Sequence, residues 1–178
     1  GIDADPEAIE ASRRHLQRHA GSLALVNANF AQLAEVVKAQ RFQPVQGVLL
    51  DLGLSSLQLE GERRGFSFKG DDPLDMRFSP EQDRTAAELV NSLSEANLVD
   101  LLFRLGEEPQ ARRIARAVVA ARPLQAARQL AEVVERAVPR RGRRLHPATR
   151  VFQALRMAVN DELQSLEAVL DQVMEVLA

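Results

Sequence analysis

Apolar and polar positions change their rhythm twice along the chain. Up to residue 51, short apolar runs alternate with amphipathic stretches; from 52 to 84 no period holds; from 85 onward apolar residues recur only at steps of three and four. Ile2-Asp3 has the look of a strand end. Asp5-Pro6 is a helix start, with a capping acid and a proline suited to the first turn. That spacing predicts a helix to about His19 or Ala20, stopped at Gly21. Leu23-Ala24-Leu25-Val26 is a run of strand length, and residues 31–40 read as a helix with Leu33, Val36 and Val37 on one face. Gly47-Val48-Leu49-Leu50-Asp51 reads as a buried strand ending in an acid. The order strand, helix, strand, helix, strand predicts an α/β fold with a parallel sheet and crossover helices.

The stretch 52–84 carries Gly53, Gly61, Gly65 and Gly70 with Pro73 and Pro80, and reads as a loop of some thirty residues. Loops of that length in compact domains are functional or disordered. Phe66, Phe68, Leu74, Met76 and Phe78 give this one apolar anchors and argue for order. Beyond it, helices are predicted at about 85–92, 94–104, 107–121 and 127–138, then a basic linker Arg140-Arg141-Gly142-Arg143-Arg144. From His146-Pro147, Phe152, Leu155, Val159, Leu163, Leu166, Leu170 and Leu177 trace one stripe and predict a single long helix. The chain has no internal repeat.

Composition narrows the classes. With 178 residues and 46% hydrophobic content the chain can bury a core, and no apolar run approaches the roughly 20 residues a membrane helix requires. Zero Cys excludes disulfides, thiolate metal sites and Cys nucleophiles, and fits a reducing cytoplasm. Without Trp or Tyr, any stacking on a base must use Phe, His or Arg. The net charge of −2 hides an asymmetry: residues 112–156 hold twelve Arg against Glu132 and Glu135, so that segment is +10 and the remainder −12. Such a segment suits a polyanion and favours phosphate binding, with a solvated helix face as the competing reading. Opening on Gly1-Ile2-Asp3 with no initiator Met, the sequence reads as an internal portion of a longer protein.

Candidate chemistry gathers at strand ends, where open sheets bind ligands. An acid in the position of Asp3 accepts hydrogen bonds from the ribose of a nucleotide-like cofactor, whether a dinucleotide or S-adenosylmethionine; a surface acid or a second helix cap is the competing reading. After the third strand, Gly53 permits close backbone approach, and Ser55, Ser56 and Gln58 offer polar groups; a capped turn is the competing reading. No nucleophile elbow surrounds Ser55. His15, His19 and His146 lack metal spacing and read as solvent or capping residues. Arg63, Arg64, Asp71, Asp72, Asp75 and Arg77 crowd the long loop.

Gly1-Ile2-Asp3-Ala4-Asp5-Pro6-Glu7-Ala8-Ile9 together with Asp51-Leu52-Gly53-Leu54-Ser55-Ser56-Leu57-Gln58-Leu59 resemble the RsmH (MraW) family. So do Arg64-Gly65-Phe66-Ser67-Phe68, Pro73-Leu74-Asp75-Met76-Arg77, Gly106-Glu107-Glu108, Arg113-Ile114-Ala115-Arg116-Ala117, Leu130-Ala131-Glu132-Val133-Val134 and the run from His146 to Arg156, all in family order. The sequence departs at Leu57, where Pro is usual, at Asp72, where Gly is common, and at Leu124-Gln125-Ala126-Ala127, which lacks the Thr residues that would cap the next helix.

The resemblance implies a cytoplasmic bacterial S-adenosylmethionine-dependent methyltransferase that modifies the exocyclic N4 of a cytosine in 16S ribosomal RNA of the small subunit, without a metal. It implies a Rossmann-like α/β fold with a partial parallel sheet and an inserted all-helical domain. The expected parts are a core portion at 1–81 including an active-site loop at 52–81, a helical insertion for RNA recognition at 82–146, and a helix returning to the core at 147–178. It assigns cofactor contacts to Asp3, Phe30, Asp51 and Gln58, with a Gly-Gly-His loop upstream of the segment matching Gly1. Catalytic roles are expected of Asp51, Ser55 and Asp75, and RNA contacts of Arg64, Arg77, Arg140, Arg141, Arg143 and Arg144. No membrane partner is expected, and a homodimer is the oligomeric state to be tested. Two other classes stay open: RNA or ribosomal-subunit binding without catalysis, and a nicotinamide-dependent oxidoreductase, which Asp3 alone does not exclude.

Overall fold

Asp5 opens the first helix as its sequence predicts: extended at φ −87°, it accepts the Glu7 amide on its own carboxylate at 3.0 Å. In the computed structural model, which describes residues 1–55, 58, 64–68, 70–138 and 146–178, α1 spans Pro6–His15. The chain continues as a 3₁₀ segment over Gln17–Ser22, so the expected run to residue 19 or 20 divides between two helix types. Strand β1 (Ile2–Asp3) pairs in parallel with β2 (Val26–Asn27), Ile2 opposite Val26 and Asp3 opposite Asn27. Helix α2 spans Leu33–Ala39 after a 3₁₀ turn begun by Asn29, whose side chain accepts the Ala31 amide.

Two compact units emerge, residues 1–53 with 161–178, and residues 54–160. In the first, Leu33, Val37, Val45 and Val169 are buried together. Helix α8 (Glu162–Val176) is tied to the start of α2: Gln172 accepts the Ala34 amide at 2.9 Å and donates to the Ala31 carbonyl, and Asn29 donates to the Ser165 hydroxyl at 3.3 Å. Two expectations need correction here. Residues 47–51 form no strand: only Val45 makes a bridge, to Leu177, and Leu49 is 92% exposed. An apolar run becomes a strand only where neighbours take its backbone groups, and among the described residues none flanks this one. The second strand, expected at 23–26, forms at Val26–Asn27, where β1 supplies the partner.

The other unit is helical: α3 (Ala86–Ser92), α4 (Glu95–Arg104), α5 (Ala111–Ala120), α6 (Ala127–Ala137) and α7 (Ala148–Val159). Their apolar faces meet in one core that includes Leu98, Leu102, Ile114, Leu130, Val134, Val151 and Leu155. Thr85 caps α3 in a capping box with Glu88. The α6 start, which lacks Thr, uses Gln129 instead, whose side-chain oxygen accepts the amides of Gln125 and Ala126. The helix expected from residue 107 begins at Ala111, since Glu107 is left-handed at φ 47°.

The single helix expected from residue 147 is two. Asn160 closes α7 and Asp161 adopts φ 48°, a conformation short polar residues tolerate. Beyond the break, Leu163 and Leu170 are exposed, and Ser165 and Val169 are the buried residues of α8. The compact units break at 53/54 and 160/161, because the loop after residue 64 and all of α7 pack into the helical core. Among the described residues, no helix is long and apolar enough to cross a membrane.

Candidate functional site

In the α/β unit, β1 and its following turn fix Asp3 at the strand's carboxyl end. The Asp3 carboxylate accepts the Asp5 amide at 2.8 Å, and its carbonyl takes the amides of Ala28 and the Asn27 side chain, at 3.0 and 2.9 Å. Asp3 thereby acts as the second cap that its position also allowed. Beside it lies an apolar cavity of about 300 Å³, walled by Ile2, Val26, Phe30, Val37, Val48, Leu50 and Asp51, among others. Phe30 and Asp51 therefore share one cavity, and Asp3 follows directly on Ile2 in its wall. The volume lies at the lower end of small-molecule sites. An apolar wall with two aromatic rings, Phe30 and Phe42, suits a planar heterocycle, and the exposed carboxylates of Asp3 and Asp51 suit hydroxyl groups.

In the helical unit, Ser55 and Gln58 bind each other. The Gln58 amide donates to the Ser55 hydroxyl at 3.2 Å, and the Gln58 side-chain oxygen accepts the Ser55 amide at 3.0 Å. This is the reciprocal geometry of a capping box, as the capped-turn reading of the sequence anticipated. Ser56 and Arg63 lie outside the described residues.

The loop after Arg64 is ordered by the anchors the sequence singled out. Leu74 and Met76 are fully buried, and Phe66 stacks on Phe78 with ring centroids 5.7 Å apart. Phe68 stacks on His146 at 4.3 Å and meets Phe152 edge-on. His146 is a capping residue: Nδ1 accepts the Ala148 amide at 3.1 Å, while Nε2 lies 2.6 Å from Glu135 Oε1. Gly65, at φ 74°, lies against Pro73, whose carbonyl oxygen would stand 2.2 Å from any Cβ.

Asp75 and Arg77 form a two-pronged pair, Nε to Oδ1 and Nη2 to Oδ2, both at 2.9 Å. Oδ1 also accepts the Arg77 amide, and Nη1 donates to the carbonyls of Pro80 and Gln82. Burial pushes the Asp75 carboxyl up, but the hydrogen bonds and charge of Arg77, helped by Arg64, outweigh it and hold the group below the usual carboxylate range. The guanidinium of Arg77 is raised in turn, chiefly by its bond to Asp75. Arg64 donates to the carbonyls of Arg77 and Phe78 and lies over the Phe66 ring. Both arginines expected at the substrate thus have bonds within the loop itself. Sequence reading did not single out Asn160, at the end of α7, or Gln82, within the loop, which together tie the loop to that helix end. The signal was a polar Asn160-Asp161 pair interrupting an apolar stripe.

Arg140, Arg141, Arg143 and Arg144 lie outside the described residues. Elsewhere in the basic segment, Arg112, Arg113, Arg116, Arg128 and Arg136 are exposed, whereas Arg122 is bound to the carbonyls of Val90 and Leu93, and Arg150 to that of Glu107. Among the described residues no cluster of His, Asp and Glu could hold a metal ion.

The whole chain, residues 1–178, matches the model of the MraW methylase family. It is 51% identical over 176 residues to a protein of Dehalococcoides mccartyi named ribosomal RNA small subunit methyltransferase H, covering 99% of this chain and 50% of that one. Proteins of the same name from Syntrophobacter fumaroxidans and Coprothermobacter proteolyticus are 49% and 48% identical over 182 residues, each covering 99% of this chain and 57% and 60% of theirs. The chain thus spans between half and three-fifths of the length of these relatives.

Proposed function

The chain belongs to the MraW methylase family, and from this we propose that it is part of an S-adenosylmethionine-dependent methyltransferase acting on the N4 of a cytidine in 16S ribosomal RNA. The observation that carries the proposal is the apolar cavity lined by Phe30 and Asp51, with Asp3 next in the chain to its lining residue Ile2. Phe30 and the aliphatic wall would hold the adenine, and Asp3 the ribose hydroxyls. The donor set fits the adenosine half of the cofactor. When bound, S-adenosylmethionine supplies a methyl group activated by its sulfonium.

The residues have then to compensate for a poor nucleophile. The lone pair on a cytosine N4 is delocalised into the ring, so acceptors must polarise its hydrogens and hold it in line; this is catalysis by positioning and electrostatics. We assign that acceptor role to Asp51, or to a backbone carbonyl near Ser55. The base must also leave its stack to reach a pocket. Asp75 and Arg77 would shape that pocket by fixing the loop around it. The helical unit serves in this reading as the inserted domain that binds RNA, its exposed arginines and the segment around Arg140, Arg141, Arg143 and Arg144 neutralising phosphates.

In the full-length protein, methyl transfer from labelled S-adenosylmethionine to small ribosomal subunits tests the reading. Asp51→Ala should lower the rate by roughly a hundredfold, and Phe30→Ala should raise the cofactor KM more than it lowers kcat. Absence of transfer by the wild type, or a normal rate for Asp51→Ala, would overturn it.

A further inference from the structure

Asn160 is a buried amide whose side chain makes three hydrogen bonds, all to backbone. Its Oδ1 accepts the Phe78 amide at 2.8 Å, and its Nδ2 donates to the carbonyls of Met76 and Arg156, each at 2.8 Å. As a helix terminator Asn160 has only to stop α7, and its own amide already bonds the Arg156 carbonyl at 3.0 Å. The side chain instead reaches 84 residues back along the chain to the carbonyl of Met76.

The segment it grips is strained. Met76 is left-handed at φ 65° and fully buried. A side chain there costs roughly 1–2 kcal/mol, so the conformation persists only where the surroundings hold it. The Met76 amide donates to the Arg64 carbonyl at 2.8 Å and its carbonyl receives Asn160, so the residue is held at both ends. Its sequence neighbours are Asp75 and Arg77, the two-pronged pair. Gln82 adds a second tie to the same helix end: Nε2 donates to the Val159 carbonyl at 3.2 Å, Oε1 accepts the Ser79 amide at 2.9 Å, and its carbonyl receives Arg77. Loop 75–82 is thereby registered against the last turn of α7.

We infer that Asn160 is a positioning residue for methyl transfer: by fixing the backbone at Met76 and Phe78 it sets the orientation of Asp75 and Arg77. The inference rests on the methyltransferase reading above. Neither Asp nor Leu can take the place of Asn here, since the first donates nothing when ionised and the second neither donates nor accepts.

A matched control exists in the same unit. Asn91 is an equivalent clamp, donating to the Leu124 carbonyl at 2.7 Å and accepting the Leu124 amide at 2.9 Å, but it grips the segment before α6 instead of loop 75–82. In the full-length protein, Asn160→Ala should lower kcat roughly tenfold to a hundredfold, leave the S-adenosylmethionine KM within about twofold, and speed hydrogen exchange at the Phe78 amide. Asn91→Ala should lower the melting temperature and keep kcat. Asn160→Asp, which retains the acceptor for Phe78, should fall between Asn160→Ala and wild type, and it stands in if the alanine variant does not fold. A wild-type kcat in either Asn160 variant, or an equal loss of kcat in Asn91→Ala, overturns the inference. A wild type that methylates no RNA overturns the underlying reading, and the inference with it.

Discussion

In the helical unit, apolar stripes find one another: α3, α4 and α6 pack on α7, and Leu102, Ile114, Leu130 and Leu155 are sealed from water. In the α/β unit four residues are buried together, while Phe42, Leu49, Leu52 and Met174 stay exposed. The contrast follows from where backbone hydrogen bonds go. A helix satisfies its own amides and carbonyls, so one amphipathic face is enough to place it. A strand satisfies none of its own, and an apolar run such as Val48-Leu49-Leu50 is placed only by strands on either side.

Four substitutions probe that contrast. The largest effect should come from Leu155→Ala, which empties a closed core and should cost about 2–5 kcal/mol in denaturant unfolding, against no measurable change for Leu49→Ala. Equal losses at the two sites would break the distinction. Next is Gly65→Ala, which asks whether the loop is a built part of the helical unit. Its new Cβ meets the Pro73 carbonyl at a positive φ, and a loss of about 1–3 kcal/mol is expected. A neutral outcome would detach the loop from the core. The smallest effect, on the order of 1 kcal/mol at neutral pH, is expected of Asp75→Asn. Because the folded Asp75 carboxyl lies below its unfolded value near 3.9, its contribution is complete above that value and disappears as pH falls through the folded one. Wild-type stability should therefore drop more steeply below about pH 4 than that of Asp75→Asn, and parallel acid limbs would count against the pair.

Periodicity located every helix of residues 85–138 to within a few residues, since propensity, caps and burial agree there. It failed where a local signal had to compete with a distant one. The stripe through Leu163 and Leu170 continued the helical rhythm across Asn160, but the side chain of Asn160 is committed to Met76 and Phe78, and the helix ends there. The third strand failed because its sequence states only that it is apolar, not what pairs with it. At the candidate site, residue type and placement drew attention to Asp3, Asp51, Asp75 and Arg77, and the family resemblance alone to Phe30. That Asp75 and Arg77 bind each other, and that Ser55 and Gln58 do too, depends on side-chain directions that spacing alone does not specify.

The discontinuity of the α/β unit has a consequence for synthesis. Residues 54–160 are contiguous, so the helical unit has all its parts as soon as its own segment has left the ribosome. The first 53 residues do not: Asn29 waits 136 residues for Ser165, and Leu33 and Val37 wait nearly as long for Val169. At bacterial elongation rates that is roughly 7–27 s with an apolar helix face uncovered. Residues 1–53 thus precede the helical unit in synthesis but complete their own core only after it.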